Sequence, residues 1–136
     1  MVSMIVSAHK KVLASIAIAL SMIVQTAPVF AHAQLIKAEP ARRATLDKAP
    51  TEVRLWFNEE IEGAYTSLSV LGTNEKSVTD AKPKVVLDDP KSVVLSLPEL
   101  SPGKYTVKFR VLSVDGHIVD ESFNFKVKKK GTVQDK

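Results

Sequence analysis

Arg110–Val127 reads RVLSVDGHIVDESFNFKV: the end of one β-strand, a polar turn and a second strand. Just upstream, Gly103–Leu112 alternates cleanly, with Tyr105, Val107, Phe109 and Val111 set against Lys104, Thr106, Lys108 and Arg110. Ser122–Lys128 repeats the pattern, with Phe123, Phe125 and Val127 on the apolar side. Successive side chains of a strand point to opposite faces, so this period of two predicts one buried face and one wet face. At the turn, Asp115 and His117 flank Gly116. Residues i and i+2 of an extended segment share a side, so a carboxylate and an imidazole here are able to share a ligand. Asp-Gly is also an ordinary hairpin turn signal, and the stretch alone leaves both readings open.

Outward from the hairpin, Glu52–Phe57 sets Val53, Leu55 and Phe57 against Glu52, Arg54 and Trp56, and Thr66–Leu71 turns Leu68 and Val70 to one side. Gln34–Ala38 is a first strand stopped by Pro40, and Ala41–Pro50 is a polar connection. Asn58–Gly63 is an acidic turn carrying Glu59, Glu60 and Glu62. Val85–Leu87 and Ser92–Leu97 flank Asp88-Asp89-Pro90 as a hairpin, and Val78–Lys84 is a short edge strand or a loop. Pro98–Gly103 is a turn, and Lys129–Lys136 is a polar tail. Short strands with turn signals roughly every ten residues predict an all-β fold, a small antiparallel Greek-key barrel or sandwich. Trp56 and Tyr65 read as partly buried side chains at turns or at the sandwich end rather than as a binding platform.

The chain has 136 residues, enough for one domain with a real core. It has no cysteine, which excludes disulfides, zinc–thiolate sites and thiol nucleophiles. Its methionines, Met1, Met4 and Met22, all fall in the first segment. That segment, Met1–Ala31, reads as a signal peptide: basic His9, Lys10 and Lys11, apolar Val12–Val24, then a short region ending in small residues. An apolar run of thirteen residues falls short of the ~20 that span a bilayer as a helix. No second apolar run follows, so the remainder is expected to be exported and to carry no membrane span. Losing Lys10 and Lys11 lowers the formal charge from +4 to +2, which is no nucleic-acid footprint. Two cuts fit. Val29-Phe30-Ala31 permits cleavage after Ala31 and leaves His32 first; Ala31-His32-Ala33 fits slightly better and removes it.

If the cut follows Ala31, the mature chain keeps His32 and His117. An N-terminal histidine chelates through its α-amine and Nδ1. With an Asp115 oxygen and a His117 nitrogen it makes a nitrogen-rich set with one oxygen, which suits tetragonal Cu(II). Zinc accepts the same donor types and ranks below copper. Calcium and magnesium want more oxygen. The cluster Glu59, Glu60 and Glu62 offers oxygen, although acids in a turn are usually solvated.

The order and spacing of several pieces resemble the CopC family of periplasmic copper-resistance proteins. They are His32-Ala33-Gln34-Leu35, Pro40, Leu55-Trp56-Phe57-Asn58-Glu59, Leu100–Val107 (LSPGKYTV), Ser113–His117 (SVDGH) and Phe123–Val127 (FNFKV). The resemblance spans His32–Val127, within a domain at 32–128, and implies a cupredoxin-like or immunoglobulin-like β-barrel in the periplasm. It implies one Cu(II) held by the amine and imidazole of His32 with Asp115 and His117, and Glu59 hydrogen-bonding beside the site. It also implies copper exchange with a CopD-like inner-membrane transporter, no catalysis, and cleavage after Ala31. Some members carry a second, methionine-rich Cu(I) site in a central loop. Residues 71–84 hold no methionine, so a single-site Cu(II) protein is expected. The blue-copper sulfur ligand is missing too. Two other classes compete. The pair of histidines is similar to the copper centre of lytic polysaccharide monooxygenases, but Asp115 would block the position that oxygen activation needs. A metal-free exported interaction module is the other.

Overall fold

The computed structural model describes residues 33–130. The expectations for Met1–Ala31, for His32 and for the end of the tail lie outside them. The described chain holds eight strands: β1 (Leu35–Glu39), β2 (Thr45–Leu46), β3 (Glu52–Phe57), β4 (Ser67–Leu71), β5 (Lys84–Val86), β6 (Asp89–Ser96), β7 (Gly103–Leu112) and β8 (Ile118–Val127). A single 3-10 turn, Gly63–Tyr65, precedes β4. The strands form two four-stranded sheets, ordered β1-β3-β6-β5 and β2-β8-β7-β4. This is the all-β sandwich that the alternation predicts.

The apolar side of each alternating segment fills the space between the sheets. Val53, Leu55, Phe57, Val70, Val93, Val107, Val111 and Phe125 are fully buried. Their aromatic neighbours interlock. Phe57 meets Phe109 edge-on at 5.8 Å, and Tyr105 stacks on Phe125 at 5.3 Å. The Tyr105 hydroxyl donates to the Ser101 carbonyl at 2.5 Å, which gives its polar tip a partner at the turn before β7.

The structure differs from the pattern reading in several places. β8 begins at Ile118 rather than Ser122 because it pairs with β7 along its whole length, from Gly103↔Val127 to Leu112↔Ile118. Asp89 and Pro90 belong to β6 rather than to the turn, which is Leu87-Asp88. The polar connection 41–50 contains β2, which runs parallel to β8, so the sheet is not purely antiparallel. Two residues are too short a run to show a period. Residues 78–83 form no strand; only Lys84 of that segment joins β5. Trp56 is half-buried as expected, with its indole N–H on Asp89 at 3.1 Å and its ring flanked by Lys37 and Arg54. Tyr65 is not: it is 69% exposed. It ends a 3-10 turn outside both sheets, at the edge of a shallow hollow with Arg110 and Ile118.

Candidate metal centre

The inward register of β7 continues past Val111 to Ser113, which is 1% exposed. A serine at that position ends the apolar stripe and starts a tight loop. The Ser113 N–H donates to the His117 carbonyl at 2.8 Å, and the Gly116 N–H donates to the Ser113 carbonyl at 2.9 Å. Gly116 has φ +91°, a left-handed conformation that a side chain would strain. The Asp-Gly pair is therefore a genuine turn, and the turn is what brings its flanking residues together.

Asp115 Oδ2 lies 2.9 Å from His117 Nδ1. Asp115 Oδ1 takes the Ser113 hydroxyl and lies 3.3 Å from the His117 backbone N–H. The Ser113 hydroxyl, and to a lesser degree His117, hold the Asp115 carboxyl below its ordinary value. The two side chains are 37% and 32% exposed, so both are open to solvent. Neighbouring donors on a tetragonal metal, with bonds of ~2.0–2.1 Å, sit about 2.9 Å apart. The observed oxygen–nitrogen spacing is that of an ordinary hydrogen bond and coincides with that edge. The chemistry of the pair, a hard oxygen with a borderline nitrogen, suits Cu(II) or Zn(II). Among the described residues no group of three or more metal-ligating side chains comes together. The loop thus brings two candidate donor side chains together, and a metal centre here would need further donors from elsewhere.

The segment 58–62 ties this loop to the start of the chain. On one side Asn58 Oδ1 accepts the Gln34 N–H at 2.6 Å, and the Asn58 N–H donates back to the Gln34 carbonyl at 3.1 Å. On the other side Ile61 bridges to Ser113, and the Val114 N–H donates to the Glu60 carbonyl at 2.9 Å. Ala33 is 7% exposed, packed into the core. Glu59 is half-buried on this segment and Glu60 is exposed. Neither makes a side-chain hydrogen bond or ion pair among the described residues. Ser113 and Asn58, named above only as parts of motifs and given no role, make these connections. Ser113 had a weak signal, since a serine hydroxyl at a turn tends to bond nearby backbone. Asn58 had none, because its partner is 24 residues away.

Residues 35–128 match the family model of the CopC domain. Protein YobA of Escherichia coli K12 is 34% identical over 104 residues, covering 76% of this chain and 84% of YobA. Copper resistance protein C of Xanthomonas campestris pv. juglandis is 32% identical over 112 residues, covering 76% of this chain and 85% of that protein. The crystal structure of CopC from Methylosinus trichosporium OB3b superposes with a TM-score of 0.69 at 38% identity, over 75% of this chain and 99% of that one. The match to the domain, the relatives and the two-sheet architecture agree: this chain belongs to the CopC family.

Proposed function

We propose that this protein binds one Cu(II) in the periplasm, without catalysing a reaction, and exchanges it with an inner-membrane copper transporter of the CopD kind. The ligands in this reading are Asp115, His117, and the α-amine and imidazole of His32, freed by cleavage after Ala31. The observation that carries it is the 2.9 Å contact between Asp115 and His117 on an exposed loop. The tie through 58–62 supports the part given to His32. Gln34 is bonded to Asn58 and Val114 to Glu60, so the chain start and the loop are tied to positions two residues apart on one segment. The names of relatives, copper resistance protein C and copper transport protein CutJ of Bacillus subtilis, support copper as the cargo.

The chain's own groups divide the work. Asp115 holds negative charge toward the incoming cation and stays ionised further into acid than an ordinary carboxylate. Before metal arrives, its hydrogen bond with Nδ1 orients the His117 ring, and Ser113 holds the carboxylate through its other oxygen. Glu59 adds charge beside the site. No cysteine or methionine follows Ala31, so soft-ligand Cu(I) chemistry has no donors there. Protons compete with the metal for nitrogen. With Asp115 ionised into acid, loss of copper on acidification reports the nitrogen donors.

The test is to express the protein with its own leader, measure the mass of the mature chain, and titrate it with Cu(II). The expected result is a chain beginning at His32 that takes up one equivalent. A chain beginning at Gln34, or no uptake at equimolar metal, ends the proposal.

A further inference from the structure

Five large apolar side chains are exposed among the described residues: Ile36, Tyr65, Leu87, Val114 and Ile118. All five lie at the end of the sandwich that carries Asp115 and His117. Leu35 pairs with Phe57 at the upper end of β3, which puts Ile36 there. Leu87 lies in the β5–β6 turn, next to Pro90, whose carbonyl accepts the Ile61 N–H. Val114 is inside the loop, and Ile118 opens β8. Tyr65 and Ile118 line one shallow hollow of about 180 Å³ with Arg110, whose charge is paired with Asp120, and Lys91 at this end donates to the Asn58 carbonyl. Single exposed apolar residues are ordinary, but all the large ones in the described chain collect at one end.

Charge divides along the same axis. Glu59, Glu60, Glu62 and Asp88 stand among these apolar side chains, and none is in an ion pair among the described residues. The opposite end is basic. Lys104 faces Lys126 across β7 and β8, with Arg43 at the same hollow.

We propose that the loop end docks a partner protein that presents an apolar patch edged with lysine or arginine. An anionic bilayer would be repelled by the four carboxylates, and a second copy meeting this one face to face would set the same carboxylates against each other. What the partner gains, access to the donor pair, rests on the copper reading; the docking itself does not.

The test places a photo-crosslinking benzophenone amino acid at Leu87, Val114 or Ile118 of the full chain in its host, with Lys104 and Lys126 at the opposite end as controls. Adducts are resolved by mass spectrometry. The expected result is one protein captured from all three positions and not from the controls, through a peptide carrying Lys or Arg beside apolar residues. With the crosslinker at Val114, Ile118→Glu and Asp88→Lys should each cut its yield about tenfold or more. Both variants should keep wild-type Cu(II) uptake. No adduct, equal yield at the controls, a partner peptide without basic residues, or an adduct of two copies of this chain overturns the docking surface. A chain that crosslinks as expected but takes up no Cu(II) overturns the copper reading and leaves the surface standing.

Discussion

Ser113 sets the electrostatics of the loop although it is not a donor in the proposed site. Its hydroxyl bonds Asp115 and meets the backbone of His117 at 3.2 Å. Ser113→Ala should therefore raise the Asp115 carboxyl back toward its ordinary value, read by carboxyl-carbon NMR titration. It should also cost about 1 kcal/mol in urea unfolding through the lost hydrogen bonds. The sign of the pH effect follows from the direction of the shift. A carboxyl held low in the folded state contributes stability that is fully present above its ordinary value and is lost as pH falls through the lower, folded value. An unchanged Asp115 titration in the variant would show that the serine does not hold the carboxylate. His117→Ala removes the proposed nitrogen donor from a half-buried position. Cu(II) affinity should fall by about 100-fold or more, with a change in unfolding free energy within ~0.5 kcal/mol, measured by competitive titration and urea melts.

Among the elements, the segment 58–62 and the β7–β8 pair carry different loads. Asn58 joins the chain start to β3 through two hydrogen bonds with Gln34. Asn58→Ala leaves the Gln34 N–H without its side-chain acceptor. Amide exchange at Gln34 should accelerate while exchange in β7 stays slow, and Cu(II) binding should weaken by about tenfold. Equal protection at Gln34 would mean that the backbone bond alone holds the start of the chain. β7 and β8 are the longest paired strands and hold Tyr105, Phe109, Phe123 and Phe125 between the sheets. Phe125→Ala empties a fully buried position under Tyr105 and should cost about 3–5 kcal/mol. That is a large share of the 5–15 kcal/mol typical of a domain, and the urea midpoint should drop accordingly.

At the scale of the whole molecule, the sandwich separates a loop end rich in carboxylates and exposed apolar groups from a basic far end. A residue added before His32, by a retained tag or a start codon without the leader, blocks the α-amine. Such a chain should fold normally and bind Cu(II) at least ~100-fold more weakly. Equal affinity would remove the amine from the ligand set. Alternation by itself determined the buried set, since Val53, Leu55, Phe57, Val107, Phe109 and Phe125 follow from the two-residue period of a strand, whatever the strand pairs with. Residue chemistry determined which metals are suited, because the donor types available after Ala31 are written in the chain. Only the tertiary structure decided which sheet each strand joins, that β2 runs parallel to β8, and that Gln34, Asn58, Glu60 and Val114 meet. Those contacts bridge residues far apart in sequence, and a local pattern records which face a side chain takes, not what lies across from it.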